Sequence, residues 1–295
     1  MEQLKHNLSR FPLKSNTTNK IFKGTEKGFD IRIVKYESLH NISEEDFSIF
    51  VKAISPSESD CILDVGAGYG AATREIVKRN SHKNVHYFLS DKSSVQLSRA
   101  KLALAPRLSY AHTKSSPLFF QDDIVHSNFR SESFDKVVGK MVLHEIDQQE
   151  QGKAIKEIYR ILKPFGSLII WDVVLDKPIQ RFVQSVIKKK DELAGFEDLA
   201  RFRYLFTQNE IFGYLENAGF TDIDTFHHLE YVLNTSRRLD PEFNGDIKKL
   251  HKWNHFIVEE YEKLDSEAKS KINLTCNYDN CRIHFGKQII RAFKI

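Results

Sequence analysis

Apolar and polar positions follow two alternating rhythms along this chain. From residue 61, short apolar runs (CILDVG, VHYFLSD, PLFFQDD, FDKVVGKMVL, SLIIWDVVL) alternate with segments whose apolar residues recur at helical spacing, starting at Ala71, Ser93 and Gln148. Runs of that length read as buried strands, and strand–helix alternation predicts an α/β fold: a parallel sheet with helices on both faces. In AIKEIYRILKP, Ile155, Ile158, Tyr159 and Leu162 line one stripe, and Lys163-Pro164-Phe165-Gly166 supplies the stop. Further on, TQNEIFGYLENAGF opens with a capping box, Thr207 and Glu210, closes at Gly219 and leads into the strand TDIDTFHHLEYVL. The chain ends on a strand, RIHFGKQIIRAFKI.

Three stretches break this rhythm. Residues 1 to about 55 are first polar, then pattern as a helix carrying Phe47, Phe50, Val51 and Ile54 behind the acidic start SEED, with Pro56 closing it. Residues 177–206 read as one or two helices with Ile179, Phe182, Val183, Val186, Phe196, Leu199, Phe202 and Leu205 on the apolar side. Residues 236–278 contain a further helix with Ile247, Leu250, Trp253, Ile257, Tyr261 and Leu264 on a stripe. The expected organisation is an N-terminal helical segment, 1–57, before a core, 58–295, that carries helical insertions at 177–206 and 236–278.

Composition narrows the classes. With 41% hydrophobic and 28% charged residues the chain is an ordinary folding sequence, neither disordered nor membrane-embedded, and no uncharged run approaches a membrane span. Lys and Arg exceed Asp and Glu by 44 to 40, and the Lys188-Lys189-Lys190 triplet reads as a solvated helix face, so no nucleic-acid surface is expected. Three cysteines and no apolar leader point to a reducing cytoplasm. Cys276, Cys281 and His284 have C-x4-C-x2-H spacing, but without a paired C-x2-C or an evident fourth ligand no metal is assigned.

The candidate chemistry begins at the first strand and its turn, Ile62-Leu63-Asp64-Val65-Gly66-Ala67-Gly68-Tyr69-Gly70. Glycines there let the backbone approach a ligand at a helix N-terminus. Gly66, Gly68 and Ala71 also fit the G-x-G-x-x-A spacing of dinucleotide binders, which keeps an NAD(P)-dependent oxidoreductase as an alternative. Asp64 works against a pyrophosphate and suits a cationic amino-acid moiety. Asp91 can accept from both hydroxyls of a ribose, and Asp123 from an adenine amino group, with Asp122 as its competitor for that contact.

These residues, with SDKSSVQLSRAK, FFQDDIVHSNFRSESFDKVVGKMVLHEI and EIYRILKPFGSLIIWD, resemble the class I S-adenosylmethionine (SAM)-dependent methyltransferases, in particular the small-molecule group of ubiquinone and menaquinone biosynthesis, over residues 60 to 175. The resemblance implies a Rossmann-like, seven-stranded, mostly parallel sheet with a helical lid formed by the N-terminal segment and the insertions. It implies SAM as cofactor, with Gly66, Gly68 and Gly70 around the methionine part, Asp91 at the ribose, Asp123 and the Ile124 backbone at adenine, and the Lys140 backbone near the sulfonium. For Asp64, direct ligand contact and a purely structural role in tying the loop together are both open.

The expected activity is transfer of a methyl group to an oxygen or carbon of a small molecule by in-line displacement. A SAM-binding protein with non-methylating or regulatory chemistry is the other reading within this class. His144 is the first candidate for a general base, against a structural role at a helix start; Glu145 stands where the family often has a second His, and Asp172 is a weaker candidate. Tyr69 and Tyr36 are candidates for cation–π contact with the sulfonium. The 236–278 insertion either completes the lid or contacts a second copy of the chain. The aromatic share of 12%, concentrated at Phe47, Phe50, Phe182, Phe196, Phe202, Tyr204, Phe206, Trp253, Phe256 and Tyr261, favours an apolar or aromatic acceptor.

Overall fold

The computed structural model describes residues 42–108 and 116–295; Tyr36 and most of the 1–57 segment lie outside the described residues. The first described helix, α1 (Glu44–Ile54), is nucleated by the reciprocal capping box of Ser43 and Asp46. The chain then alternates through β1 (Cys61–Val65), α2 (Ala71–Arg79), β2 (His86–Asp91), α3 (Ser94–Leu108), β3 (Leu118–Gln121), β4 (Phe134–Lys140), α4 (Gln148–Ile161) and β5 (Leu162–Asp172). After the short β6 (Val174–Leu175) come α5 (Lys177–Ala194), α6 (Glu197–Phe202), β7 (Phe206–Thr207), α7 (Gln208–Ala218) and β8 (Thr221–Asn234). The last portion holds α8 (Leu239–Phe243), α9 (Ile247–Glu262), α10 (Ser266–Lys271), β9 (Asn273–Cys276) and β10 (Cys281–Phe293).

The main sheet runs β3-β2-β1-β4-β5-β10-β8. The first five strands are parallel neighbours, whereas β10 lies antiparallel between β5 and β8. The register brings Val65 beside Ser90 and Gly139, and Lys140 beside Trp171, so the carboxyl ends of β1, β2, β4 and β5 open along one edge, where ligands bind in such sheets.

An eighth strand joins this sheet. β9 lies within the 236–278 stretch expected to be helical, and pairs with the start of β10, His284 opposite Asn273 and Cys281 opposite Cys276. Residues 281–284 of β10 have no β5 partner, and β9 takes that free edge, as unpaired backbone requires. Cys276 and Cys281 face each other across the pair and form a disulfide, which replaces the expectation of three reduced cysteines; Cys61 is free. β5 also starts earlier than its apolar run, taking in Leu162 to Gly166. Among the described residues no helix is long and apolar enough to cross a membrane.

Each face of the sheet is covered by its own apolar cluster. On one side Phe134, Ile155, Ile158, Ile170, Ile211 and Leu215 pack together. On the other, Phe47 and Phe50 of α1 lie 5.5 and 5.3 Å from the Trp171 ring, beside Ile76 and Ile289. A third cluster (Phe182, Val186, Leu233, Trp253, Ile283) fastens α5 and α9 to the β8–β10 end. Trp253 is fully buried there and donates Nε1–H to the Val186 carbonyl at 2.9 Å; its truncation to Ala costs about 3–5 kcal/mol.

Candidate active site

The turn after β1 is shaped by two glycines. At Gly66 (φ +58°) an added Cβ would stand 2.1 Å from Val142 Cγ2, so only glycine lets this loop close on the loop after β4. At Gly68 (φ +54°) the space a Cβ would occupy is empty to 4 Å, an open ledge of backbone. Asp91, at the end of β2, ties that ledge down: Gly68 N–H donates to Oδ2 and Ser93 N–H to Oδ1, both at 2.8 Å.

Asp64 sits beneath the turn, buried. Its Oδ2 accepts from the Thr73 amide at 3.2 Å and the Thr73 hydroxyl at 2.7 Å, while Oδ1 has no protein donor among the described residues. Burial raises its carboxyl to about 6 against the lowering effect of the Thr73 bonds and of Lys140. The structural role left open for Asp64 is thus realised by one oxygen, and the other stays available.

The two neighbouring acids after β3 have separate surroundings. Asp122 is enclosed by donors: Ser127 hydroxyl at 2.8 Å, Asn128 amide at 3.1 Å and Asn128 Nδ2 at 3.0 Å. Asp123 accepts from the Val125 amide at 3.1 Å and pairs with the Lys92 ammonium at 2.9 Å.

Where β4 ends, Met141 adopts φ +56°, a strained conformation for a residue with Cβ, held by the hydrogen bond that its backbone N–H donates to the Trp171 carbonyl at 2.7 Å. The turn continues into His144, whose Nδ1 is hydrogen-bonded to Asp172 Oδ1, with Nε2 3.4 Å from Glu145 Oε1. Asp172 also accepts from the Leu143 amide at 3.0 Å and the Val173 amide at 2.8 Å. Burial alone would push the His144 ring down; the two carboxylates overcome it and raise the ring to about 9, so at neutral pH it is an imidazolium. Glu145 is gripped in turn by Arg203, Nε at 2.9 Å and Nη2 at 2.7 Å, a bidentate pair.

A single cavity of about 440 Å³ joins these parts, a size suited to small molecules. Asp64, Gly66, Gly68, Asp91, Asp123, Ile124, Lys140, His144 and Glu145 line it, as does Tyr69. Gly70 does not: it is the left-handed N-cap of α2. Asp172 does not either, acting from behind His144. Beyond Met141 the cavity continues into a distal chamber walled by Val183, Ile187, Phe202, Tyr231 and Phe285 together with Lys190, Arg203, Arg238 and Glu242. Of the ten rings expected to favour an apolar acceptor, only Phe202 lines it; others pack in the core, Phe182 against Tyr261 and Trp253 against Phe243.

The charged wall of the chamber escaped the sequence reading. Lys190, taken with its neighbours as part of a solvated face, is 3% exposed and pairs with Glu242 at 2.6 Å. A signal was present: Lys190 follows Val183, Val186 and Ile187 on their own helical stripe, whereas Lys188 is exposed. Arg238 and Glu242, four positions apart, carried a local pairing signal of their own, whereas nothing local marked Arg203, whose partners Glu145 and Asp191 lie 58 and 12 positions away.

Residues 63–170 match the family model described as a methyltransferase domain. Among curated relatives, a polyketide synthase-nonribosomal peptide synthetase of Aspergillus clavatus is 29% identical over 193 residues, 64% of this chain and 5% of that protein. The hybrid PKS-NRPS synthetase poxE of Penicillium oxalicum is 30% identical over 112 residues, 38% of this chain and 3% of that protein. The chain thus spans a small fraction of the relatives it matches. Solved structures share the fold. The YcgJ protein of Bacillus subtilis has a TM-score of 0.67 at 15% identity, covering 85% of this chain and 99% of that one. The arsenic(III) SAM methyltransferase of Chlamydomonas reinhardtii has 0.50 at 19%, covering 81% and 64%. The matched residues hold the glycine turn, Asp91, Asp123 and the loop after β4, and by that match residues 63–170 are a class I SAM-dependent methyltransferase domain, with S-adenosylmethionine as its cofactor.

Proposed function

We propose that this chain transfers the methyl group of SAM to an oxygen or carbon of a small molecule held in the distal chamber. The observation that carries this reading is the continuity of the cavity: one space leads from the Gly68 ledge past His144 into a chamber built by α5, α6 and the β8–β10 end. The residues present fit the cofactor: an empty ledge at Gly68, an uncommitted Asp64 oxygen, and two acids at the ends of β2 and β3.

When bound, SAM supplies a methyl group already activated by its sulfonium. The protein's share is to orient, to exclude water and to manage the acceptor's proton. In this reading Asp64 faces the amino group of the methionine part, Asp91 takes the ribose hydroxyls and Asp123 the adenine amine, since Asp122 is already enclosed by donors. The Ile124 and Lys140 backbones, with Gly66 and Gly68, complete the cradle. His144, oriented by Asp172, receives the acceptor's proton at Nε2 once it has released its own, and Glu145 anchored on Arg203 fixes the ring from the other side. The acceptor's apolar body lies against Val183, Ile187, Phe202 and Phe285. We assign the insertions at 177–206 and 236–278 the task of covering the site, and the relatives in polyketide and peptide synthesis support a small-molecule acceptor over a macromolecule.

Calorimetry with S-adenosylhomocysteine (SAH) and NAD, followed by assay of labelled SAM with phenols, carboxylic acids and 1,3-dicarbonyl compounds, tests this reading. SAH should bind and NAD should not, and His144→Ala should lower turnover with SAH affinity unchanged. Failure to bind SAH overturns it.

A further inference from the structure

The distal chamber contains more charge than an apolar acceptor requires. Lys190 pairs with Asp191 at 3.0 Å and with Glu242 at 2.6 Å; Arg203 pairs with Asp191 and Glu145, both at 2.7 Å; and Arg238 pairs with Glu242 at 2.7 Å. Each of these cations has a carboxylate. Lys287 has none. It is 2% exposed, and among the described residues its ammonium meets only the face of the Tyr231 ring, 3.9 Å from the centre. Lys287 stands two residues along β10 from Phe285 and so on the same side of the strand; Phe285 and Tyr231 both line the chamber. Arg238 Nη2 donates to the Tyr231 hydroxyl at 2.6 Å, which draws a second cation to the same ring.

We propose that the distal chamber receives an anionic group of the acceptor, a carboxylate or a phosphate, at the corner formed by Arg238, Tyr231 and Lys287. This rests on the reading that the acceptor occupies that end of the cavity. An amine buried without an acceptor costs free energy that an apolar side chain of similar length would not, so a packing role alone does not account for lysine here. Burial pushes Lys287 well below the ordinary lysine range; Lys140 and Arg238 push the same way, and Asp172 and Asp46 oppose them without restoring it. An anion beside Tyr231 supplies the missing counter-charge and favours the protonated amine. A cationic acceptor would add a further like charge to Lys140, Arg238 and Lys287, and a neutral one would leave the amine as it stands.

The test uses the full chain with and without bound SAH and three probes of one shape: 3-phenylpropanoate, 3-phenylpropanamide and phenyl phosphate. By calorimetry, at least one anion should bind tenfold or more tightly than the amide, with net proton uptake when measured in two buffers of different ionisation enthalpy. The carboxylate and phosphate arms identify which anion the corner prefers. Lys287→Met should reduce the preference to threefold or less. Equal binding of amide and anions, binding of none of the three, or an unchanged preference in Lys287→Met overturns the proposal, and the wild-type comparison decides it independently of whether the variant folds. Loss of SAH binding would strike the cofactor reading instead, and the titration without SAH keeps the two failures distinct.

Discussion

His144 and Asp172, 28 positions apart, meet ring to carboxylate because the parallel strands β4 and β5 end side by side. The same carboxylate accepts the Leu143 and Val173 amides, so it fixes the turn that carries the histidine as well as the ring itself. The orientation of the candidate base is therefore set by a residue that never reaches the cavity, and its charge by that residue together with Glu145.

That relationship predicts a pH profile. A base role needs neutral His144, and the ring is held near 9, so kcat should rise with pH through about 9. Asp172→Asn removes the negative partner and should move the midpoint down by more than one pH unit; a profile that does not move leaves His144 structural. Stability follows the raised-pKa sign: its contribution is complete below the ordinary histidine value near 6.5 and is lost as pH rises through about 9. Urea midpoints compared with His144→Asn across that window measure it.

Asp91 and Asp123 should separate from Asp122 by their effects. Asp91→Ala and Asp123→Asn should each weaken SAH binding by about 10- to 100-fold, the equivalent of one or two charge-assisted hydrogen bonds. Asp122→Asn should spare SAH affinity but lower unfolding free energy by about 1–3 kcal/mol, because one of the two oxygens that accept from Ser127 and Asn128 becomes an NH2 donor facing them. Calorimetry and urea denaturation on the same three proteins check the assignment.

Arg203 holds two acids at once, the half-buried Glu145 and the buried Asp191. Arg203→Met should destabilise the chain by about 3–5 kcal/mol, since Asp191 stays buried with only Lys190 beside it and Glu145 loses its forked partner. Arg203→Lys should recover only part, because an ammonium cannot reproduce the forked contact. Denaturant midpoints rank the three.

Gly66→Ala should be strongly destabilising through its contact with Val142, and Val142→Ala should relieve part of the loss by clearing the 2.1 Å approach. The residual penalty belongs to the positive φ, which the second substitution cannot remove. Thermal melts of the two single variants and the double variant measure this coupling.

Much of the site was legible locally. The glycine turn, Asp91 and the Asp122-Asp123 pair stand out because each sits at the end of an apolar run, and such runs end on one edge of a parallel sheet. The Ser93 start of α3 and the Thr207–Glu210 box before α7 were visible for the same reason: capping depends on residues within three positions of each other. The choice between Asp122 and Asp123 was not, because neighbouring acids differ only in the donors around them, and these are set by the turn at Ser127 and Asn128.

By itself, then, the sequence determined the strand–helix order, the glycine turn after β1 and the acids at the ends of β2 and β3, all consequences of periodicity and short-range hydrogen bonding. Only the tertiary structure decided that β9 takes the free edge of β10, that Lys190 turns inward, and that Lys190, Arg203 and Arg238 gather around one chamber. Burial of a charge depends on partners brought from remote segments, as Arg203 is to Glu145 across 58 positions, and no local pattern encodes such a pairing.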